Sequence, residues 1–498
     1  MQHLLRQHWP VIAYLALLSL LRLYLMGHYE LTDDEAYYWE WSRNLAPSYY
    51  DQGPGVAFAI AAGTALFGHT ELGVRFPAWV LGILVSILAY RIAATIYGSN
   101  RAGFFAVLVL SLMPIGFLGG ILMMHDTVQF AAWAFFCYGI YRFLIKEHWL
   151  WLYWSAAALV MGTLAKHTMV LALPALTLFL LAHPPLRKVL RNPHFWLAGL
   201  LSGTLLSPII YWNLQHDWTG VSAIVHLPSA RAKGNPFYLR MLDFLFFQIL
   251  LVGPLVFVSA IAGIRHPKPL LMPAKQLLII ASLFIFCFFW FMTLRKTIQP
   301  NWVICAWFGG TILAGAWLAD QWQTQRRLVP ILTLLSSLFL ISVALTPAPY
   351  LWVADTLGAK LGPEAIQTNR LTGGREMAAY VQKIRDRHPG AHVAGNRYQE
   401  AALMAFYLPE QPRTYSLNLG SRPNQYDFWE RPEGDFVYLQ IGQGTLPKAV
   451  TEAFESVEPF PPQIIERYDR PARYYQVFLL RGMKRQNAPS PGGISTAP

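Results

Sequence analysis

Residues 31–55 read LTDDEAYYWEWSRNLAPSYYDQGPG. An apolar run of helix length ends just before them, at Met26, so the stretch stands where a chain has just crossed a membrane. It carries the carboxylates of Asp33, Asp34, Glu35, Glu40 and Asp51 among the rings of Tyr37, Tyr38, Trp39, Trp41, Tyr49 and Tyr50. A carboxylate at the bilayer centre costs about 2.5–3.5 kcal/mol on insertion scales, and much less at the water interface. The plain reading is a loop held outside by its acids, with Trp and Tyr as an interfacial belt. The density of acids argues for more. A belt needs rings, but it does not need Asp-Asp-Glu followed by another acid in YYDQGPG. The Gly-Pro-Gly turn pins the chain just after Asp51, as a shaped loop requires.

Working outward, the chain has 498 residues, 55% hydrophobic and 13% charged, whereas a soluble protein carries roughly 25% charge. The fold class expected is an α-helical polytopic membrane protein. About eleven transmembrane helices are expected, near 10–27, 73–92, 102–119, 126–144, 150–165, 168–183, 195–213, 243–264, 277–293, 302–319 and 328–346. The apolar segment 56–68 is short and is read as lying along the interface or re-entering rather than crossing. The first apolar segment lacks a small-residue cleavage site and is read as an uncleaved helix. The net charge of +12 sits largely in short loops, where it sets topology and meets anionic head groups. No nucleic-acid motif is visible. Cys137, Cys287 and Cys305 lie in apolar segments without metal-ligand spacing, and no disulfide is expected.

The loops holding Arg91, Arg101, Arg142, Lys146, Arg187, Lys188 and Arg191 are the richer in cations and are assigned to the cytoplasm. The opening acidic stretch then faces outward, into a periplasm in a Gram-negative cell. Residues 1–349 are read as the membrane domain with its outer-face loops. From about 350 to 482 strands and helices alternate: HVAGN, RTYSLNL, DFVYLQIG and RYYQVFLL with YQEAALMAFYL and PKAVTEAFESV. That pattern predicts a small C-terminal α/β domain, also facing outward. Residues 483–498 are read as a disordered tail.

Further polar groups fall on the same outer side. MMHDTVQF (123–130) puts His125 and Asp126 at the start of a span, where Asp126 equally well caps a helix. LAKHTMV (164–170) puts Lys166 and His167 between two spans, against the positive-inside pattern, although a snorkelling lysine would look the same. The loop 211–237 carries Arg231 and Lys233, and the loop 294–302 carries Arg295 and Lys296. Cations that hold a phosphate and a carboxylate that accepts a proton thus converge on one side of the membrane.

The order DDEAYYWEWS, YYDQGPG, LGVRFPAWVLG, MMHDT, GTLAKHTMV and WNLQHDW resembles the C-type membrane glycosyltransferases of the protein O-mannosyltransferase and aminoarabinose transferase superfamily. The resemblance covers roughly residues 10–350, and GGREMAAYV, GNRYQEAALMAFYL and RPNQYDFW further on also look like those of bacterial members with a periplasmic tail domain. It implies transfer of a sugar from a polyprenyl-phosphate carrier to an envelope acceptor, whether lipid A, another glycolipid, a polysaccharide or, less expected, a protein. The acidic pair of the first outer loop falls on Asp34 and Glu35, and the acid of the later helix on Asp126. These three are the expected catalytic residues. Asp51, Tyr50, His125, Lys166, His167, Arg231, Lys233, Arg295 and Lys296 are the expected substrate-binding residues. Members of the family often carry Lys or His where this chain has Gln52, and Pro-Pro where it has Gly53-Pro54, which leaves the phosphate contact at that position open.

On this reading Asp34 orients or deprotonates the acceptor hydroxyl for a single inverting displacement. Asp126 and Asp51 shape the site or hold a divalent cation, with His125 and His167 as further candidate ligands. No cofactor is required. The expected location is a bacterial inner membrane, with membrane lipids as neighbours. Two rival readings remain. One is a transporter or flippase that uses Asp34 and Asp126 as ion sites, and the other is a non-catalytic scaffold.

Overall fold

The computed structural model describes residues 2–225, 236–356, 366–420 and 422–484. The chain opens with α1 (Gln2–His28), α2 (Asp33–Arg43), α3 (Gly55–Phe67), α4 (Glu71–Tyr97), α5 (Asn100–Leu112), α6 (Pro114–Leu118), α7 (His125–Lys146) and α8 (Leu150–Ala165). Among the described residues six helices are long and apolar enough to cross a membrane. They become seven when Phe237–Val252 and Pro254–Arg265, bent by 96°, are taken as one span. The eleven expected from hydropathy are therefore not reached by length and composition.

The shortfall has local causes. Proline lacks the amide of a helical hydrogen bond and clashes with the preceding turn. Pro114 ends α5 after 13 residues, and Pro254, behind Gly253 with φ of 93°, breaks the bent pair. At Lys166 the backbone turns extended and α8 stops. Segment 56–68 forms the 13-residue helix α3, a length of about 20 Å, shorter than the hydrocarbon core of a bilayer. The molecule is a multi-pass membrane protein with a sheet at its C-terminal end.

The sheet has six strands: β1 (His392–Gly395), β2 (Tyr415–Ser416), β3 (Phe436–Ile441), β4 (Phe454–Pro459), β5 (Gln463–Arg467) and β6 (Arg470–Met483). Their order is β2-β1-β3-β6-β4, with β5 also paired to β6. β1 is parallel to β2 and β3, while β6 runs antiparallel to β3, β4 and β5. Successive side chains on a strand point to opposite faces, and the sequence obeys this. Val437 and Leu439 with Val477 and Leu479 pack on one face. Phe436 and Tyr438 with Phe478 and Leu480 pack on the other.

Three sequence expectations change here. PKAVTEAFESV splits into a short helix, Lys448–Ala453, and strand β4, because Phe454 and Val457 pair with β6. The expected domain boundary between 349 and 350 falls inside the helix Ala348–Thr356. The expected tail begins within β6 at Met483 and from 485 lies outside the described residues.

The sheet is fastened to the helical part by a shared apolar core. Tyr37, Trp39, Trp41 and Tyr49 of the opening stretch are buried there with Ala57 of α3, Val128 of α7, Met377, Ala401, Phe406 and Val477. Tyr37 packs against Tyr398 at 4.3 Å between ring centroids, and Trp39 against Phe406 at 4.9 Å. These rings are not a lipid-facing belt. Trp39 and Trp41 have no exposed surface, and they form the seat on which the C-terminal sheet sits.

Candidate active site

The site is built on α2. Thr32 caps it: its hydroxyl accepts from the Glu35 amide at 3.2 Å while its own amide donates to Glu35 Oε2 at 3.0 Å, a reciprocal capping box. Glu35 is then locked from the other side. Arg75 of α4 donates Nε to Oε1 at 2.8 Å and Nη2 to Oε2 at 2.7 Å, and the Met123 amide donates to Oε1 at 3.0 Å. Arg75 also reaches the carbonyls of Met26, Tyr29 and Glu30, at 2.9, 2.7 and 2.8 Å. Both side chains are 0% exposed. Glu35, expected among the catalytic groups, has no surface open to a substrate. It is a clasp joining the end of α1, α2, α4 and the segment leading into α7.

That clasp positions its neighbours. Asp34 is half-buried on the first turn of α2 and accepts from the Tyr398 hydroxyl at 3.0 Å. Burial pushes its carboxyl above the usual carboxylate range, opposed chiefly by Arg370. His125 acts electrostatically on both Asp34 and Asp51. Its Nδ1 is hydrogen-bonded to the Tyr38 hydroxyl at 2.8 Å. Asp126 starts α7, as expected. Lys166 Nζ donates to its Oδ1 at 2.6 Å, while Asn301 Nδ2 and His125 Nε2 meet its Oδ2 at 3.0 and 3.1 Å. Lys166 is 3% exposed and lies over the Trp302 ring at 5.6 Å; Lys296 approaches the same ring at 5.9 Å.

The loop before α3 closes the other side. Gly53 and Gly55 pack against the backbone of Leu164 and Ala165, where a Cβ would overlap, so this close approach requires glycine. Gln52 turns its side-chain oxygen to His167 Nδ1 at 3.1 Å. Asp51 accepts from the Tyr37 hydroxyl at 2.9 Å and pairs with Arg422. Burial raises its pKa as well, with Arg422 the main opposing influence. The Tyr50 ring stacks on Phe428 at 5.6 Å, and its amide donates to Gln425 Oε1 at 2.8 Å.

Asp34, Asp51, His125, Asp126, Lys166 and His167 are thus brought together, with Lys296 beside them. Arg295 is exposed on the Lys296 loop. Arg231 and Lys233 lie outside the described residues. The donor set does not suit a divalent cation. Both Asp126 oxygens already meet protein donors, one of them an ammonium, and among the described residues no three His, Cys, Asp or Glu side chains cluster to hold a metal.

Sequence reasoning missed Arg75, Tyr398, Arg422 and Gln425 as site residues, while Asn301 stands among the polar groups of the outward loop 294–302. Arg75 had a usable signal, since an arginine within an apolar span is a candidate for function. The residues beside the C-terminal sheet stand in segments that resemble the family's tail domain, but nothing local assigns them to the site, because their partners lie hundreds of positions away.

An apolar cavity of about 590 Å³ runs beside this cluster, between α3, α4 and α8. Gly55, Leu164 and Val128 are among the residues lining it. In sequence they lie close to Asp51, Lys166 and Asp126 respectively, although no charged side chain lines the cavity itself.

Residues 51–212 match the family described as dolichyl-phosphate-mannose-protein mannosyltransferase. The chain is 26% identical over 320 residues to the lipid A galacturonosyltransferase RgtD of Rhizobium johnstonii, covering 61% of this chain. The match spans 64% of that relative's length, just under two thirds. Among solved structures, ArnT from Cupriavidus metallidurans superposes in the apo state with a TM-score of 0.61 at 14% identity, covering 94% of this chain and 98% of that one. The same protein bound to undecaprenyl phosphate also gives 0.61, over 98% and 99%. These likenesses establish the architecture.

Proposed function

We propose that this chain, which has the fold of the C-type membrane glycosyltransferases, moves a sugar from a polyprenyl-phosphate carrier to an envelope lipid acceptor of the lipid A kind. The reaction takes place at the outer face of a bacterial inner membrane. The observation that carries the reading is a half-buried, basic carboxylate, Asp34, gathered with a buried lysine–carboxylate pair, Lys166–Asp126, that stands at the ends of α8 and α7, two helices that also line an apolar cavity. A lipid-linked sugar needs that combination: dry walls for the prenyl tail, charge where the phosphate leaves, and a proton acceptor where the hydroxyl attacks. The lipid A relative and the undecaprenyl-phosphate complex of the structural neighbour support the same substrates.

The roles follow from what each group has free. Asp126 already accepts from Lys166, Asn301 and His125, so it holds Lys166 in place rather than taking a proton. Asp34 accepts from Tyr398 through Oδ1, which leaves Oδ2 to orient the acceptor hydroxyl and receive its proton. Its raised pKa makes it a better base than an ordinary carboxylate. As the acceptor oxygen bonds to the anomeric carbon, the bond from that carbon to the phosphate oxygen breaks. The electron pair leaves with the polyprenyl phosphate, and the configuration inverts. Lys166 and Lys296 supply positive charge where the leaving phosphate gathers negative charge.

Purified protein given labelled polyprenyl-phosphate sugar and lipid A tests the reading. Asp34→Asn should abolish transfer, and Asp126→Asn should reduce it by at least ~100-fold. Near-normal transfer by both variants would remove the assignment. Release of free polyprenyl phosphate in detergent, without a sealed compartment, separates a transferase from a transporter.

A further inference from the structure

The carboxyl ends of β1 and β2 face the helical part of the molecule. In parallel α/β sheets this edge is where ligands bind. The segment after β1 contributes Tyr398, and the segment after β2 contributes Arg422, Gln425 and Phe428. All four meet the acidic loops. Tyr398 donates to Asp34 at 3.0 Å. The Gln425 amide donates to the Tyr37 hydroxyl at 2.7 Å, which in turn donates to Asp51 at 2.9 Å. Phe428 stacks on Tyr50, and Arg422 Nη2 pairs with Asp51 Oδ1.

Two guanidiniums near the acidic loops are half-exposed and pair through one nitrogen, Arg370 with Asp33 and Arg422 with Asp51; Arg422 is the one whose acid lies on the loop packed against Leu164 and Ala165. Arg75 is fully engaged by Glu35 and three carbonyls. Lys166 is buried on Asp126. Arg370 and Arg473 both address Asp33. Arg422 meets Asp51 through a single nitrogen, and its side chain is 40% exposed. A guanidinium has five donors in a fork that matches a phosphate. Its carboxylate partner sits on the loop that packs against Leu164 and Ala165, the residues just before Lys166.

We infer that Arg422 is a phosphate ligand of the transfer site, contributed by the C-terminal sheet and held ready by Asp51. The inference rests on the transferase reading. The phosphate belongs either to the polyprenyl carrier or to a phosphorylated lipid acceptor, and the chemistry of recognition is the same for both. The C-terminal sheet then completes the substrate cleft rather than merely covering it.

The test uses full-length wild type, Arg422→Gln and Arg422→Lys in detergent. Binding of undecaprenyl phosphate is followed by tryptophan fluorescence, and KM is measured separately for labelled polyprenyl-phosphate sugar and for lipid A. Arg422→Gln should weaken one substrate at least tenfold, with kcat changed less. Arg422→Lys should recover part of the loss, because it restores charge without the fork. Weaker carrier binding with a raised donor KM assigns the carrier phosphate; a raised KM for lipid A alone assigns the acceptor phosphate. Both KM values and carrier affinity within twofold of wild type in both variants would overturn the inference while leaving the transferase reading intact. A wild type that neither binds the carrier nor transfers sugar would overturn the transferase reading itself. Should Arg422→Gln aggregate, Arg422→Lys alone decides: wild-type constants overturn the inference, and a selective rise in one KM supports it.

Discussion

Replacing Arg75 with methionine should be among the most damaging single changes in the molecule. The guanidinium makes five hydrogen bonds, two to Glu35 and three to the carbonyls of Met26, Tyr29 and Glu30, with no exposed surface. Arg75→Met leaves the Glu35 carboxylate buried and charged, with Thr32 and the Met123 amide as its remaining partners. Breaking one side of a buried ion pair costs about 3–5 kcal/mol, a large part of the ~5–15 kcal/mol that holds a typical protein folded. Glu35→Gln should cost a similar amount, because the Gln amide would turn a donor towards the Arg75 donors. The double variant should cost less than the sum of the two, since the second change removes the charge that the first one stranded. A double-mutant cycle measured by denaturant titration in mixed micelles should therefore give a coupling of about 3 kcal/mol or more. Activity should fall as well wherever the variants remain folded, because the Glu35–Met123 bond ties α2, which carries Asp34, to the segment that leads into Asp126. Additive single and double variants, or Arg75→Met with wild-type stability, would refute the clasp.

The remaining expectations concern individual groups. Tyr398→Phe removes a donor from Asp34, while Arg370, Asp33, His125, Asp51 and Tyr38 still face that carboxylate. Its pKa should rise further, so the acid limb of kcat/KM should move to higher pH with roughly tenfold lower activity; an unmoved limb would contradict the contact. Lys166→Met should lower kcat by at least ~100-fold in a transfer assay, and normal turnover would take Lys166 out of the mechanism. Burial raises Glu40 to about 7 from 4.5, opposed chiefly by Arg43. Because the folded value is the higher, stability from this group is present below about 4.5 and is lost as pH rises through about 7. The effect is on the order of 3 kcal/mol, and Glu40→Gln should flatten the stability profile between those values. Gly53→Ala should place a methyl against the Leu164 carbonyl and weaken carrier binding in the fluorescence assay.

Sequence alone determined that the chain is a helical membrane protein with a small α/β unit after it, because hydropathy and strand–helix alternation are local properties of a few tens of residues. It also placed Asp34, Asp51, His125, Asp126, Lys166 and His167 among the site candidates, since charged groups at the ends of apolar runs stand out against their neighbours. Tertiary structure alone decided what each group does. Glu35 and Asp34 are adjacent in sequence, yet the turn of the helix sends one into the Arg75 clasp and leaves the other half-buried at the cleft. A membrane belt is one of two readings open in the sequence for the aromatic rings of residues 37–49, and the C-terminal sheet resting on them removes it. Arg422 and Tyr398 stand in segments that resemble the family's tail domain, yet their role comes from carboxylates more than three hundred residues away, and only the packing of the two parts through a shared apolar core brings them within hydrogen-bonding reach.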